Sequence, residues 1–140
     1  MSNNRVLVVY NICGIKRDNT DKYPVFLSNI VEQKFDGEVV VVVSACKPHE
    51  RTIPTLSKMF PQFDYNAIHD AYPVNITCNY SALEAIKRHG EFDAYVYWTC
   101  DAFMLSDDIL QGSFDILKNN PTYGMVSPQV DIDSCYAWGL

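Results

Sequence analysis

The sequence predicts an α/β protein, a three-layer α/β/α sandwich around a mainly parallel sheet. Three observations point there. Short β-branched runs alternate with stretches of helical spacing along most of the chain, the order that builds a parallel sheet through crossover helices. Glu38 to Ser44 holds five consecutive valines, as expected of a central strand covered on both faces. The apolar run Tyr95-Val96-Tyr97-Trp98-Thr99-Cys100 ends on Asp101, and ligands of open α/β sheets sit outside the carboxyl ends of the strands.

In chain order, Arg5 to Tyr10 is a Val- and Leu-rich first strand, and the polar stretch from Asn11 to Lys22 is a loop. Tyr23 to Phe35 has helical spacing in Phe26, Leu27, Ile30, Val31 and Phe35, with Pro24 tolerated in the first turn and Asp36-Gly37 as its end. The valine strand follows. Pro48 and Pro54 punctuate a loop before a short helix from about Thr55 to Phe60, and Tyr65 to Asp70 is a weaker third strand. Asn79 to His89 is a helix with Ala82, Leu83 and Ile86 as its apolar positions, stopped by Gly90. After the strand to Asp101, Ser106 caps a helix with Asp107 and Asp108 in its first turn, Leu110, Phe114 and Leu117 on its apolar face, and Lys118 in its last turn. Tyr123 to Val126 is one more strand. Asp131 to Leu140 shows no convincing period, so residues 1–130 form one domain and residues 131–140 a tail or the start of a second half.

A chain of 140 residues, 48% hydrophobic and 20% charged, can bury a normal core. Seventeen acids against eleven bases give a net charge of −6. That balance argues against nucleic acid, which needs a basic face, and against docking on anionic lipid. No apolar stretch is long enough for a membrane span. The first residues carry no small-residue cleavage site, so no signal peptide is expected. Five cysteines without close pairs (Cys13, Cys46, Cys78, Cys100 and Cys135) fit neither a disulfide framework nor a zinc site. They read as free thiols in a cytoplasmic protein. Asn75-Ile76-Thr77 and Asn79-Tyr80-Ser81 match the glycosylation sequon, which means nothing without a secretory route.

There is no nucleophile elbow, no GxxxxGK[ST] loop and no GxGxxG turn. His49 and His69 lie near strand ends, and His89 near a helix C-terminus reads as dipole compensation on a solvated surface. Asp101 is the remaining candidate. A hard cation such as Mg²⁺ or Mn²⁺ often takes one or two carboxylates and leaves the rest to substrate phosphates. The plainer alternative is that Asp101 caps the next turn. Tyr95, Tyr97 and Trp98 read as core packing, while Tyr10, at the end of the first strand, could lie against a base.

The order of these pieces resembles the nucleotide-sugar-binding half of a GT-A fold glycosyltransferase, in particular the large inverting family that includes rhamnosyl- and polysaccharide transferases. Val8-Val9-Tyr10-Asn11 resembles that family's opening strand, Leu27-Ser28-Asn29-Ile30-Val31-Glu32-Gln33 its first helix, and Glu38 to Val43 its second strand. Asn75 and Asn79 resemble its Asn-containing helix start. Thr99-Cys100-Asp101 stands where the family has Asp-x-Asp, and Asn120-Pro121-Thr122-Tyr123-Gly124-Met125-Val126-Ser127-Pro128 is similar to the phrase after the next helix. The resemblance covers roughly residues 5 to 130.

It implies a nucleotide-diphosphate sugar held by Tyr10, Asn11, Ser44, Asn75, Asn79, Thr99 and Asp101. It also implies Mn²⁺ or Mg²⁺ on Asp101, and sugar transfer to a saccharide or other hydroxyl acceptor. Three departures go with it. Val43 and Ser44 replace the acid that ends the second strand, and Thr99 replaces the first acid of the metal motif. The general base of an inverting transferase normally follows the matched segment, and Asp131 and Asp133 are in a poor context for it. The other reading is a non-catalytic α/β interaction module that keeps the fold without the site. A flavodoxin- or response-regulator-like domain is weaker, because Asn11-Ile12-Cys13-Gly14 supplies neither a phosphate loop nor an acid pair.

Overall fold

A computed structural model describes residues 3–12, 22–46, 49–68, 74–100 and 102–128, with nothing stated of the side chains of Val74 and Asn75. Asp101, His69, Cys13, Cys135, most of the expected first loop and the expected tail lie outside the described residues.

Four parallel strands form one sheet in the order β3-β2-β1-β4. They are β1 (Arg5–Ile12), β2 (Glu38–Cys46), β3 (Asp64–Ile68) and β4 (Ala94–Thr99). The helices are α1 (Tyr23–Val31), α2 (Ile53–Met59), α3 (Val74–His89) and α4 (Ile109–Asn119). The period of two in the strands sorts the core onto two faces. Val6, Val8, Tyr10 and Ile12 of β1 pack with Leu27 and Ile30 of α1, Leu56 of α2, and Leu110 and Phe114 of α4. Leu7 and Val9 point the other way, to Cys78, Ala82 and Ala85 of α3. The three layers and the parallel sheet are those the sequence predicts.

Two glycines are set by geometry. Gly37 has φ 151°, and a Cβ there would come within 2.3 Å of the Asn4 carbonyl oxygen. That same oxygen accepts the Glu38 amide at 2.9 Å as β2 begins. Gly90 ends α3 with φ 81°, the left-handed stop its sequence position predicts.

Three helix boundaries differ from those the sequence predicts. α1 ends at Val31 rather than Phe35, because Lys34 gives its amide to the Asp107 carbonyl at 2.6 Å. α2 starts at Ile53, led in by a 3₁₀ turn at His49–Thr52, and α3 starts at Val74, ahead of Asn79. Among the described residues Tyr123 to Val126 joins no ladder, and the Tyr123 amide closes a turn onto the Asn120 carbonyl. Asp107 and Asp108 precede α4. Asp107 pairs with Lys34 at 2.6 Å, which lowers its pKa and raises that of the lysine. Asp108 accepts a hydrogen bond from the Ser106 hydroxyl.

His89 is no solvated end charge: its Nε2 lies 2.5 Å from Asp64 Oδ2, tying the end of α3 to the start of β3. His49 is buried in the 3₁₀ turn. Tyr95 and Tyr97 are not core residues, being 40% and 54% exposed.

Candidate functional site

β1, β2 and β3 step across the sheet in one direction, and β4 adds on the opposite side of β1. The topological switch therefore lies between β1 and β4, and a crevice opens at their carboxyl ends. Asn11 and Thr99 are register partners at that edge.

Register organises the edge into two rows. On the face of α1, α2 and α4, Tyr65, Val43, Tyr10 and Trp98 are paired across all four strands. One residue further on, on the face of α3, the row is Asn66, Ser44, Asn11 and Thr99. An aromatic row thus backs a polar row. The polar row meets polar residues of α3: Ser81 Oγ donates to Ser44 Oγ at 2.7 Å, and Thr77 Oγ1 lies 3.6 Å from Cys46 Sγ. Burial pushes the neighbouring Cys78 thiol up to about 11, with Cys46 adding to the rise.

Asn11 stands out. It is 3% exposed, and among the described residues neither its Nδ2 nor its Oδ1 has a hydrogen-bond partner. Leaving a buried polar group unsatisfied costs about 1–3 kcal/mol. Native structures keep few such groups, and each asks for an explanation such as a function or a bound water.

The segment around position 101 is held from several sides. Tyr10 is fully buried, and its hydroxyl donates to the Cys100 carbonyl at 3.0 Å. Its ring has no exposed surface on which a base could lie, so its contribution is to position the end of β4. Trp98 Nε1 donates to the Ala102 carbonyl at 3.0 Å, and the Ala102 amide donates to the Thr99 carbonyl at 3.1 Å. Asn29 of α1 grips Met104 twice, Nδ2 to its carbonyl at 3.0 Å and Oδ1 from its amide at 2.7 Å. Gln33 does the same one turn on, donating to the Ser106 carbonyl at 2.8 Å and accepting the Leu110 amide at 3.1 Å. This gives the Leu27-to-Gln33 motif a physical purpose. Its two amide side chains clamp the backbone that leaves β4.

The structure brings Asn11, Ser44 and Thr99 into one row. Asn79, on the exposed side of α3, accepts a hydrogen bond from Tyr97 OH at 3.1 Å. Asn75 lies in the first turn of α3. Asp101 lies outside the described residues, between the anchored Cys100 and Ala102. Among the described residues no group of three or more His, Cys, Asp or Glu could hold a metal ion, and no helix is long and apolar enough to cross a membrane. Sequence reasoning missed Asn66, Thr77 and Ser81. The signal for Asn66 is register with Ser44, which no sequence period reveals. For Thr77 and Ser81 it is an i, i+4 polar pair on the inward side of α3.

No protein-family model and no curated protein matches the chain. Solved structures do. A mannosyltransferase from Pyrobaculum calidifontis, in complex with GDP-Man and Mn²⁺, superposes with a TM-score of 0.68 at 19% identity over 97% of this chain. S. aureus TarS 1-349 superposes at 0.57 with 14% identity over 89% of the chain, and its complex with UDP at 0.56 with 16% identity over 90%. This chain spans 38% of the length of each. The fold is therefore one shared with glycosyltransferases.

Proposed function

We propose that this chain forms the nucleotide-sugar-binding part of a GT-A type glycosyltransferase, transferring a sugar to a saccharide or other hydroxyl acceptor. The observation that carries this reading is the anchored carboxyl end of β4 at the switch point, facing a buried Asn11 carboxamide with no partner. The mannosyltransferase that shares the fold holds GDP-Man, and TarS holds UDP in its complex.

In this reading the Asn11 carboxamide, with two N–H donors and an acceptor oxygen, is completed by the base or ribose through a bridging water. Ser44 and Thr99 flank it with hydroxyls, and Asn75 and Asn79 are the α3 residues assigned to the ligand. Asp101 and the Thr99 hydroxyl are hard oxygen donors of the kind Mn²⁺ and Mg²⁺ take. A cation so held would neutralise charge developing on the departing diphosphate. The clamps from Tyr10, Trp98, Asn29 and Gln33 keep the backbone on both sides of Asp101 in place before ligand arrives. That reduces the ordering cost of binding. The cytoplasm is the compartment we assign, where the thiols of Cys46, Cys78 and Cys100, in no disulfide among the described residues, would stay reduced.

Titration calorimetry with GDP-, UDP- and dTDP-sugars in the presence of Mn²⁺ tests the reading. Saturable, cation-dependent binding to one of them is expected, falling at least tenfold in Asp101→Ala with the fold intact by circular dichroism. Absence of binding to all three, or binding indifferent to that substitution, would overturn it. The second reading, a non-catalytic interaction module, draws on Thr99 standing where a second carboxylate is expected. It predicts no cation-dependent thermal shift with any nucleotide sugar.

A further inference from the structure

Asn66 is the second carboxamide of the polar row, and only half of it is satisfied. It is 8% exposed, its Oδ1 accepts a hydrogen bond from Arg88 Nη2, and among the described residues its Nδ2 has no partner. Arg88 is held in turn. Its Nη1 lies 3.6 Å from Asp64 Oδ2, the oxygen that also faces His89 Nε2 at 2.5 Å. A guanidinium can only donate. The Asn66 amide therefore stands one way round, with its oxygen towards Arg88 and its N–H donors in the buried interior.

Ser44 is the register partner of both Asn66 and Asn11. It accepts from Ser81 Oγ at 2.7 Å, which leaves its own proton to donate. The row thus offers donors at Asn66 Nδ2, Ser44 Oγ and Asn11 Nδ2, and none of its four residues is a carboxylate. At this depth a ligand is reached through water. A water that accepts from two of these donors has only its protons left to offer. The row therefore turns protons outward and complements a ligand edge rich in acceptors. Uracil, thymine and cytosine each carry two acceptors on the Watson–Crick edge, whereas guanine and adenine each carry one.

Resting on the nucleotide-sugar reading above, we propose that this row selects a pyrimidine base over a purine. Asn66 is its specificity-determining residue, and Arg88 is the positioning residue that fixes which end of the amide faces inward. Asp64 and His89 hold Arg88 to that task from the start of β3 and the end of α3.

Titration calorimetry with UDP and GDP, each in the presence of Mn²⁺, separates the base from the sugar. UDP should bind at least about tenfold tighter than GDP, the scale expected when a buried donor is left unmatched. Asn66→Asp keeps the shape and the Arg88 contact but puts an acceptor where the donors stand, so the two affinities should come within about threefold of each other. Arg88→Met, at a side chain that is 42% exposed, frees the amide to turn and should narrow the ratio in the same direction. A purely structural role would lower both affinities alike and leave their ratio untouched. GDP bound as tightly as UDP would overturn this inference and leave the nucleotide-sugar reading standing. So would a ratio unchanged in both variants. Binding of neither nucleotide would overturn the inference together with the reading on which it rests.

Discussion

β1 and β4 lie side by side in register, and the difference between them separates what stabilises this fold from what the fold presents. β1 is paired on both edges, and Val6 through Tyr10 have no exposed surface. Among the described residues β4 is paired on one edge, with Tyr95 and Tyr97 open to solvent and Thr99 exposed at the crevice. Both end at the switch point. One contributes a buried carboxamide, the other a turn pinned from beneath. A strand buried on both faces can hold an unsatisfied Asn11 in place, while a strand with Tyr95 and Tyr97 on an open face adds less to the core.

The sharpest way to break this comparison is to truncate the register partners Leu7 and Tyr95 in parallel. Leu7→Ala empties a fully buried position between β1 and α3, and such truncations cost about 2–5 kcal/mol. Tyr95→Ala removes a ring that is 40% exposed and should cost no more than about 1 kcal/mol. Urea denaturation of the two variants decides the matter. Equal losses would mean that β4 is as buried as β1 in solution, covered by something beyond the described residues.

Asn11 and Thr99 are also register partners, and here the expected effects run in opposite directions. Asn11→Leu replaces an unsatisfied buried amide by an apolar group of similar size. Stability should rise by about 1 kcal/mol, while nucleotide-sugar affinity falls about tenfold. Thr99→Val, at the exposed end, should leave stability within about 0.5 kcal/mol and affect only cation-dependent binding. A destabilised Asn11→Leu with unchanged affinity would show that the amide serves packing and not ligand.

The same contrast explains what could be read from residues alone. β1 and β2 were legible because burial on both faces forces continuous β-branched runs, and α4 because Leu110 and Phe114 repeat at helical spacing. The candidacy of Asp101 rests on the rule that strand ends carry ligands in such sheets, and that residue lies outside the described ones. The polar row was not, since joining Asn66 to Ser44 and Asn11 needs the register of three strands. Nor was the role of Tyr10: a tyrosine at a strand end has two faces to choose between, and period two places it opposite Asn11. The exposure of Tyr95 and Tyr97 escaped notice because an aromatic strand at a sheet edge and one at its centre have the same composition.

At the far end of the aromatic row, Tyr65 offers the smallest and most local test. Its hydroxyl donates to the carbonyls of Leu56 and Phe60 at 2.9 and 2.8 Å, holding the C-terminal end of α2 on β3. Desolvation pushes its pKa from 10.0 up to about 12. The folded chain therefore keeps this proton where the unfolded chain has lost it. The contribution is fully present below pH 10 and declines as pH rises from 10 towards 12. Tyr65→Phe should cost about 1 kcal/mol at pH 7, the usual net worth of such hydrogen bonding, and should flatten that part of the alkaline decline. Trp98, at the opposite end of the row, has no ionisable group, so Trp98→Phe should leave the alkaline limb of the unfolding curve as it was. If the two variants shift that limb equally, α2 is not held through Tyr65, and the two edge strands β3 and β4 do not differ in this respect.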